Sequence, residues 1–159
     1  MSLARSSYRI ADEPVAGKLS RLVVNPVFPL LGGMLGGFGV GLVWFVVNGV
    51  GMGSATLRRE LWVAFMGLAL AVVGTGVLLM LYDARPQPSG TVLKLAALGL
   101  TLVKLVVLYV LQLTQSRSFA LHQHFGGHVA NGILPVIGAL ILRTQLFEVL
   151  PTVVAVVLQ

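Results

Sequence analysis

Long apolar runs limit what this chain can fold into more than anything else in its sequence. Residues 26–48 and 61–82 carry no charged side chain, and residues 91–114, TVLKLAALGLTLVKLVVLYVLQLT, carry only Lys94 and Lys104. A transmembrane helix needs about 20 predominantly apolar residues. Only 10% of the 159 residues are charged, against the ~25% with which a soluble domain solvates its surface. A mean hydropathy of +0.94 points the same way. The expected fold is therefore all-α, an integral membrane bundle of four transmembrane helices, with no room for a separate soluble domain. The spans fall near 26–48, 61–82, 91–114 and 128–146.

Residues 1–22 form a polar, basic tail with Arg5, Arg9, Lys18 and Arg21, and residues 23–159 form the four-span domain. The tail is not expected to be a cleavable signal peptide. The apolar run after it is too long for a signal core and lacks an evident small-residue cleavage site. Pro26 and Pro29 open the first span, where a missing N–H costs least. GVGMGSATLRRE connects it to the second span, whose Trp62 and Tyr82 are placed as interface anchors. DARPQPSG reads as a turn, and QSRSFALHQHFGGHVAN is the longest connection.

Two readings of the C-terminal part are open. One has a span over 128–146, with Arg143 at the interface and 147–159 along the membrane. The other is a single long tilted span that buries Arg143 and Glu148. Burying those charges costs a few kcal/mol each, which favours the first. Cytoplasmic connections carry the excess of Lys and Arg, so the tail, Arg85 and Lys94 place the N-terminus in the cytoplasm. Arg58, Arg59 and Arg117, in the first and third connections, pull the other way. No repeat is visible.

The net charge of +6 sits mostly in the tail and connections. That distribution fits orientation and contact with anionic lipid headgroups, and it excludes a nucleic-acid partner. There are no cysteines, hence no disulfide, thiolate ligand or thiol nucleophile.

In LLGGMLGGFGVGL, Gly33, Gly37 and Gly41 recur every four residues, a GxxxG pattern, and so do Gly32 and Gly36. Small residues on one helix face allow close backbone approach, which drives helix association in lipid. Ala64, Gly67, Ala71 and Gly74 form a similar face on the second span. Either these two faces pack together within one chain, or they serve a homo-oligomer or another membrane subunit.

Lys94, one turn inside its span, can extend its stem to the headgroups. Lys104 lies near the midpoint, roughly 15 Å from either interface at about 1.5 Å per residue, beyond a lysine's reach. It needs a carbonyl or acid in the bundle (Glu148, if buried), an acid on another subunit, or a polar path. Thr101 and Gln115 lie close in angle and make a polar stripe with it.

His122, His124 and His128 fall within seven residues. Imidazoles bind zinc, copper or haem, but a site needs three or four ligands in one geometry, and Gly126-Gly127 interrupts the helix before His128. A solvated connection is the simpler reading, and no cofactor is expected. The five acids, Asp12, Glu13, Glu60, Asp83 and Glu148, form no pair suited to acid/base work, and no nucleophile has a base at a recognisable spacing. No catalytic residue, and no enzyme, is expected.

The piece LLGGMLGGFGVGLVWFVVNGVGMGSATLRRELW resembles the first hairpin of a loosely defined set of small bacterial membrane proteins. In those, a glycine-rich first span ends in an Asn, here Asn48, and a basic connection and a second apolar span follow. SFALHQHFGGH is similar to their third connection, with a His and a Gly-Gly pair. The resemblance covers most of residues 30–130. It implies a four-span protein of a bacterial inner membrane and no particular activity.

The expected function is that of a non-enzymatic subunit that assembles through the Gly33/Gly37/Gly41 face and Lys104. The alternatives are a small oligomeric channel or transporter with Lys104, Thr101 and Gln115 along its path, and a metal- or haem-binding redox subunit using the three histidines.

Overall fold

The computed structural model describes residues 19–84, 89–149 and 157–158, with the side chains of Leu142 and residues 146–149 excepted. The first 18 residues of the tail, the centre of the DARPQPSG turn and the question of whether 147–159 spans or lies on the membrane fall outside these. The described residues are helical, without strands. A short 3-10 turn, Ser20–Leu22, leads into α1 (Val27–Gly36), α2 (Phe38–Met52), α3 (Leu57–Asp83), α4 (Gly90–His124) and α5 (Ile133–Val149).

The straight helix expected over 26–48 is two helices. Gly37 adopts φ 114° and ψ 154°, a region closed to side chains by steric clash, and the chain reverses there. The α1–α2 pair is an antiparallel hairpin: a Cβ placed on Gly41 would lie 2.6 Å from the Gly33 Cα. The period-four glycines therefore do bring two backbones together, but they are the backbones of one folded-back segment. Gly37 is its turn and not part of a helix face.

α2 ends at Gly53, in the left-handed region at φ 61°, whose N–H returns to the Val50 carbonyl. This is a common glycine helix stop. α3 and α4 are antiparallel neighbours, and Gly67 lies against Val107 while Gly74 lies against Leu100. The core is formed by Phe38, Leu42 and Phe45 of α2, Ala64 and Ala71 of α3, and Leu108 and Leu111 of α4. The small face of α3 thus packs inside the chain. Its partner is α4, and the glycine face of the first segment is likewise covered by Leu108 of α4. The two faces do not pack on each other.

α5 runs beside α1. Gly132 lies against Phe28 and Gly36 against Ala139, so the two helices are parallel. α4 continues ten residues past the expected 91–114 span and takes in His122 and His124.

Glycines with no close neighbour give an internal control for this packing. A Cβ at Gly76 or Gly99 would meet nothing within 4 Å. Both are inside helices, where glycine costs roughly 0.5–1 kcal/mol relative to alanine. Gly76→Ala and Gly99→Ala are expected to raise stability by about that amount in a detergent unfolding titration; a loss would mean that a surface covers these positions.

Candidate functional site

The polar side chains of the interior gather at one end of the bundle, where α2 stops, α3 starts and α4 nears its end. Gln115 is fully buried and Asn48 is 1% exposed. The Gln115 amide donates both its protons, to the Phe45 carbonyl (2.6 Å) and to Glu60 Oε2 (2.7 Å). Its Oε1 accepts from Asn48 Nδ2 (3.1 Å), and Asn48 Oδ1 accepts from the Val24 N–H (2.9 Å). Donors and acceptors alternate along the chain, so each amide has one workable orientation.

Glu60 is 3% exposed. Its Oε1 accepts from the Ser54 hydroxyl (2.6 Å) and the Thr56 hydroxyl (2.8 Å). Ser54 has a single proton and gives it to Glu60, so the 2.9 Å contact between Ser54 and Ser118 is donated by Ser118. Glu60 is the acceptor in all three of these contacts, with Ser54, Thr56 and Gln115. It also sits in the first turn of α3, where the helix dipole favours negative charge. Gly49 makes room for it, since a Cβ there would come 2.6 Å from Glu60 Oε2. The side chains around Glu60 and Gln115, among them Phe45, Leu57, Ala64 and Leu111, close without space for a water molecule. Among the described residues, no buried side-chain nitrogen or oxygen lacks a partner.

This network ties the N-terminal segment, α2, α3 and α4 together. The sequence singles out Gln115 but places Glu60 in the polar connection GVGMGSATLRRE, and it marks no role for Ser54 or Ser118. A signal was present: two hydroxyls, Ser54 and Thr56, stand just before an apolar helix with an acid in its first turn.

The expected polar stripe on α4 divides. Lys104 and Gln115 share a buried seam with Leu108, Leu111, Phe119 and His122. Thr101 is exposed and bonds its own helix at the Ala97 carbonyl (3.0 Å). The three do not line one path. Because Leu108 lies against Gly33 and Gly41, Lys104, one turn earlier on α4, is at the depth of the Gly37 turn. The last carbonyls of α1 point toward that turn, and Arg143 Nη1 donates to one of them, Leu35 O, at 3.1 Å. Cations at a helix C-terminus offset its partial negative charge. The side chain of Glu148, the acid considered for Lys104, is not among those described.

The three histidines do not converge. His122 is 4% exposed, and its Nε2 lies 3.2 Å from the backbone carbonyl of His128. The His128 and His124 side chains are exposed, and His124 meets Phe125 edge-on, with ring centroids 5.5 Å apart. Among the described residues, no group of three or more His, Cys, Asp or Glu side chains could hold a metal ion. The Gly-Gly pair serves the backbone: Gly126, at φ 75°, ends α4, and Gly127 lies against the His122 ring.

Comparison with family models, curated proteins and solved structures gave no match. The class of this protein therefore rests on its own geometry: among the described residues, a helical bundle with two helices, α3 and α4, long and apolar enough to cross a membrane.

Proposed function

We propose that the chain is a non-enzymatic integral membrane subunit that works by assembly, with copies of itself or with other membrane proteins, through the outward faces of α3 and α4. One observation supports the membrane part of this reading: the apolar residues of the two longest helices point outward while the buried polar groups point in. The most apolar stretch of α4 is only 11% buried and that of α3 22%, whereas the core helix of a soluble protein is mostly buried. Met80 is 76% exposed, Leu98 67% and Val73 63%. Such a surface is stable against lipid and costly against water.

The glycines considered for assembly are occupied within the chain, and Lys104 is 8% exposed, so the outward faces of α3 and α4 remain for partners. Native mass spectrometry of protein extracted gently from its membrane tests this. The expected result is a defined oligomer or a reproducible second protein. Lys104→Met, inside the protomer, is expected to leave that mass unchanged, and Leu98→Trp, on the outer face, to shift it. A lone monomer throughout would overturn the assembly reading.

A further inference from the structure

We infer that residues 27–52 form a re-entrant hairpin, entering and leaving the bilayer on one face, and that this hairpin brings Arg58, Arg59 and Arg117 to the same anionic headgroups as the tail's cations. The inference rests on the membrane reading above.

Length is the first argument. At about 1.5 Å per residue, the 10 residues of α1 reach roughly 15 Å and the 15 of α2 roughly 22 Å. The hydrocarbon core is about 30 Å thick, so neither half crosses it. The 27 residues of α3 and 35 of α4 reach roughly 40 and 52 Å and do. The open ends of the hairpin lie together: the Val24 N–H bonds Asn48, and the Leu19 carbonyl is against Gly51.

Burial at the turn is the second. Non-helical backbone at membrane depth is tolerated only where protein covers it. Gly36, Gly37 and Phe38 are all buried, with Ala139 of α5 seated on Gly36.

Charge placement follows from this geometry. Four straight spans put the tail's four cations, Arg85, Lys94 and Arg143 on one side, seven in all, against Arg58, Arg59 and Arg117 on the other. The hairpin exchanges the two sets, bringing Arg58, Arg59 and Arg117 to the tail's side. Ser54 touches Ser118 and Gln115 touches Glu60, so Arg58, Arg59 and Arg117 lie at the end where the chain enters through Leu19. All three, with Arg21, are exposed. The division is again seven against three, with the four tail cations plus those three facing Arg85, Lys94 and Arg143, which lies past the Gly36–Ala139 contact on α5. Lys and Arg bias of this kind marks the cytoplasmic face and its anionic lipid.

The chain has no cysteine, so single cysteines report sidedness cleanly. Ser7→Cys, Ala55→Cys, Ser89→Cys and Gln123→Cys would each be labelled with a membrane-impermeant maleimide in sealed right-side-out and inverted vesicles. The expected result groups positions 7, 55 and 123 on the cytoplasmic face, with 89 opposite. Grouping 7 with 89, and 55 with 123, would mean straight spans and overturn the hairpin. Release of the chain by alkaline washing, with all four positions labelled from both sides, would overturn the membrane reading instead. R58Q/R59Q/R117Q is expected to lose uniform orientation, so that Ala55→Cys labels from both faces. Retained orientation would show that these cations do not set it.

Discussion

Gln115→Leu is expected to be the most damaging single change of near-constant volume in this protein. It removes three buried hydrogen bonds and leaves the Phe45 carbonyl, Glu60 Oε2 and Asn48 Nδ2 without this partner. A buried group left unsatisfied costs about 1–3 kcal/mol, so a loss of about 4 kcal/mol is expected where an ordinary substitution costs ~1. With Gln115 in place, the surrounding side chains leave no space for a water to substitute for these bonds. Thr101→Val, on the same helix but at an exposed hydroxyl bonded only within α4, is expected to change stability by less than ~0.5 kcal/mol. Reversible unfolding in mixed micelles compares the two. A Gln115→Leu loss under ~1 kcal/mol would mean that Gln115 does not hold α2 and α3 together.

A methyl group at Gly41 has the next largest expected effect. Its Cβ would stand 2.6 Å from the Gly33 Cα and 3.0 Å from Leu108 Cδ2. A backbone atom cannot rotate aside, so the hairpin must open. Overpacking typically costs about 1–3 kcal/mol, and Gly41→Ala is expected at the top of that range. Gly33→Ala is expected to cost less, because its nearest obstacle is a Leu108 methyl at 2.6 Å, while the Gly41 Cα is at 3.1 Å. The double variant should cost less than the sum, since the first methyl already separates the backbones. Strict additivity would argue that the two glycines are not in contact. Stabilities from the same titration decide it.

Much of the helix content was legible from the sequence. The apolar runs at 61–82 and 91–114 predict α3 and α4, because an apolar run of that length can satisfy its backbone within one helix. The small face of α3, from Ala64 to Gly74, is legible as a packing face from its spacing alone. Gly37 is where that reading fails. Period-four glycines describe a helix face, and the same spacing also places Gly33 opposite Gly41 when the chain turns midway. Hydropathy does not distinguish the two, since both bury the same residues.

Sequence by itself determined the class of element, the apolar outside and the need of Lys104 and Gln115 for something other than lipid. These follow from local composition, and each residue carries them alone. Only the tertiary structure decided which groups meet. Glu60 reads as part of a polar connection until α4 brings Gln115 to within 2.7 Å of it. Thr101 reads as part of a stripe until packing turns Lys104 inward and leaves Thr101 outside. The three histidines read as one cluster until the end of α4 separates their rings. Hydrogen-bond partners 55 and 67 residues apart leave no periodic trace, because their pairing is fixed by how helices cross and not by spacing along any one of them.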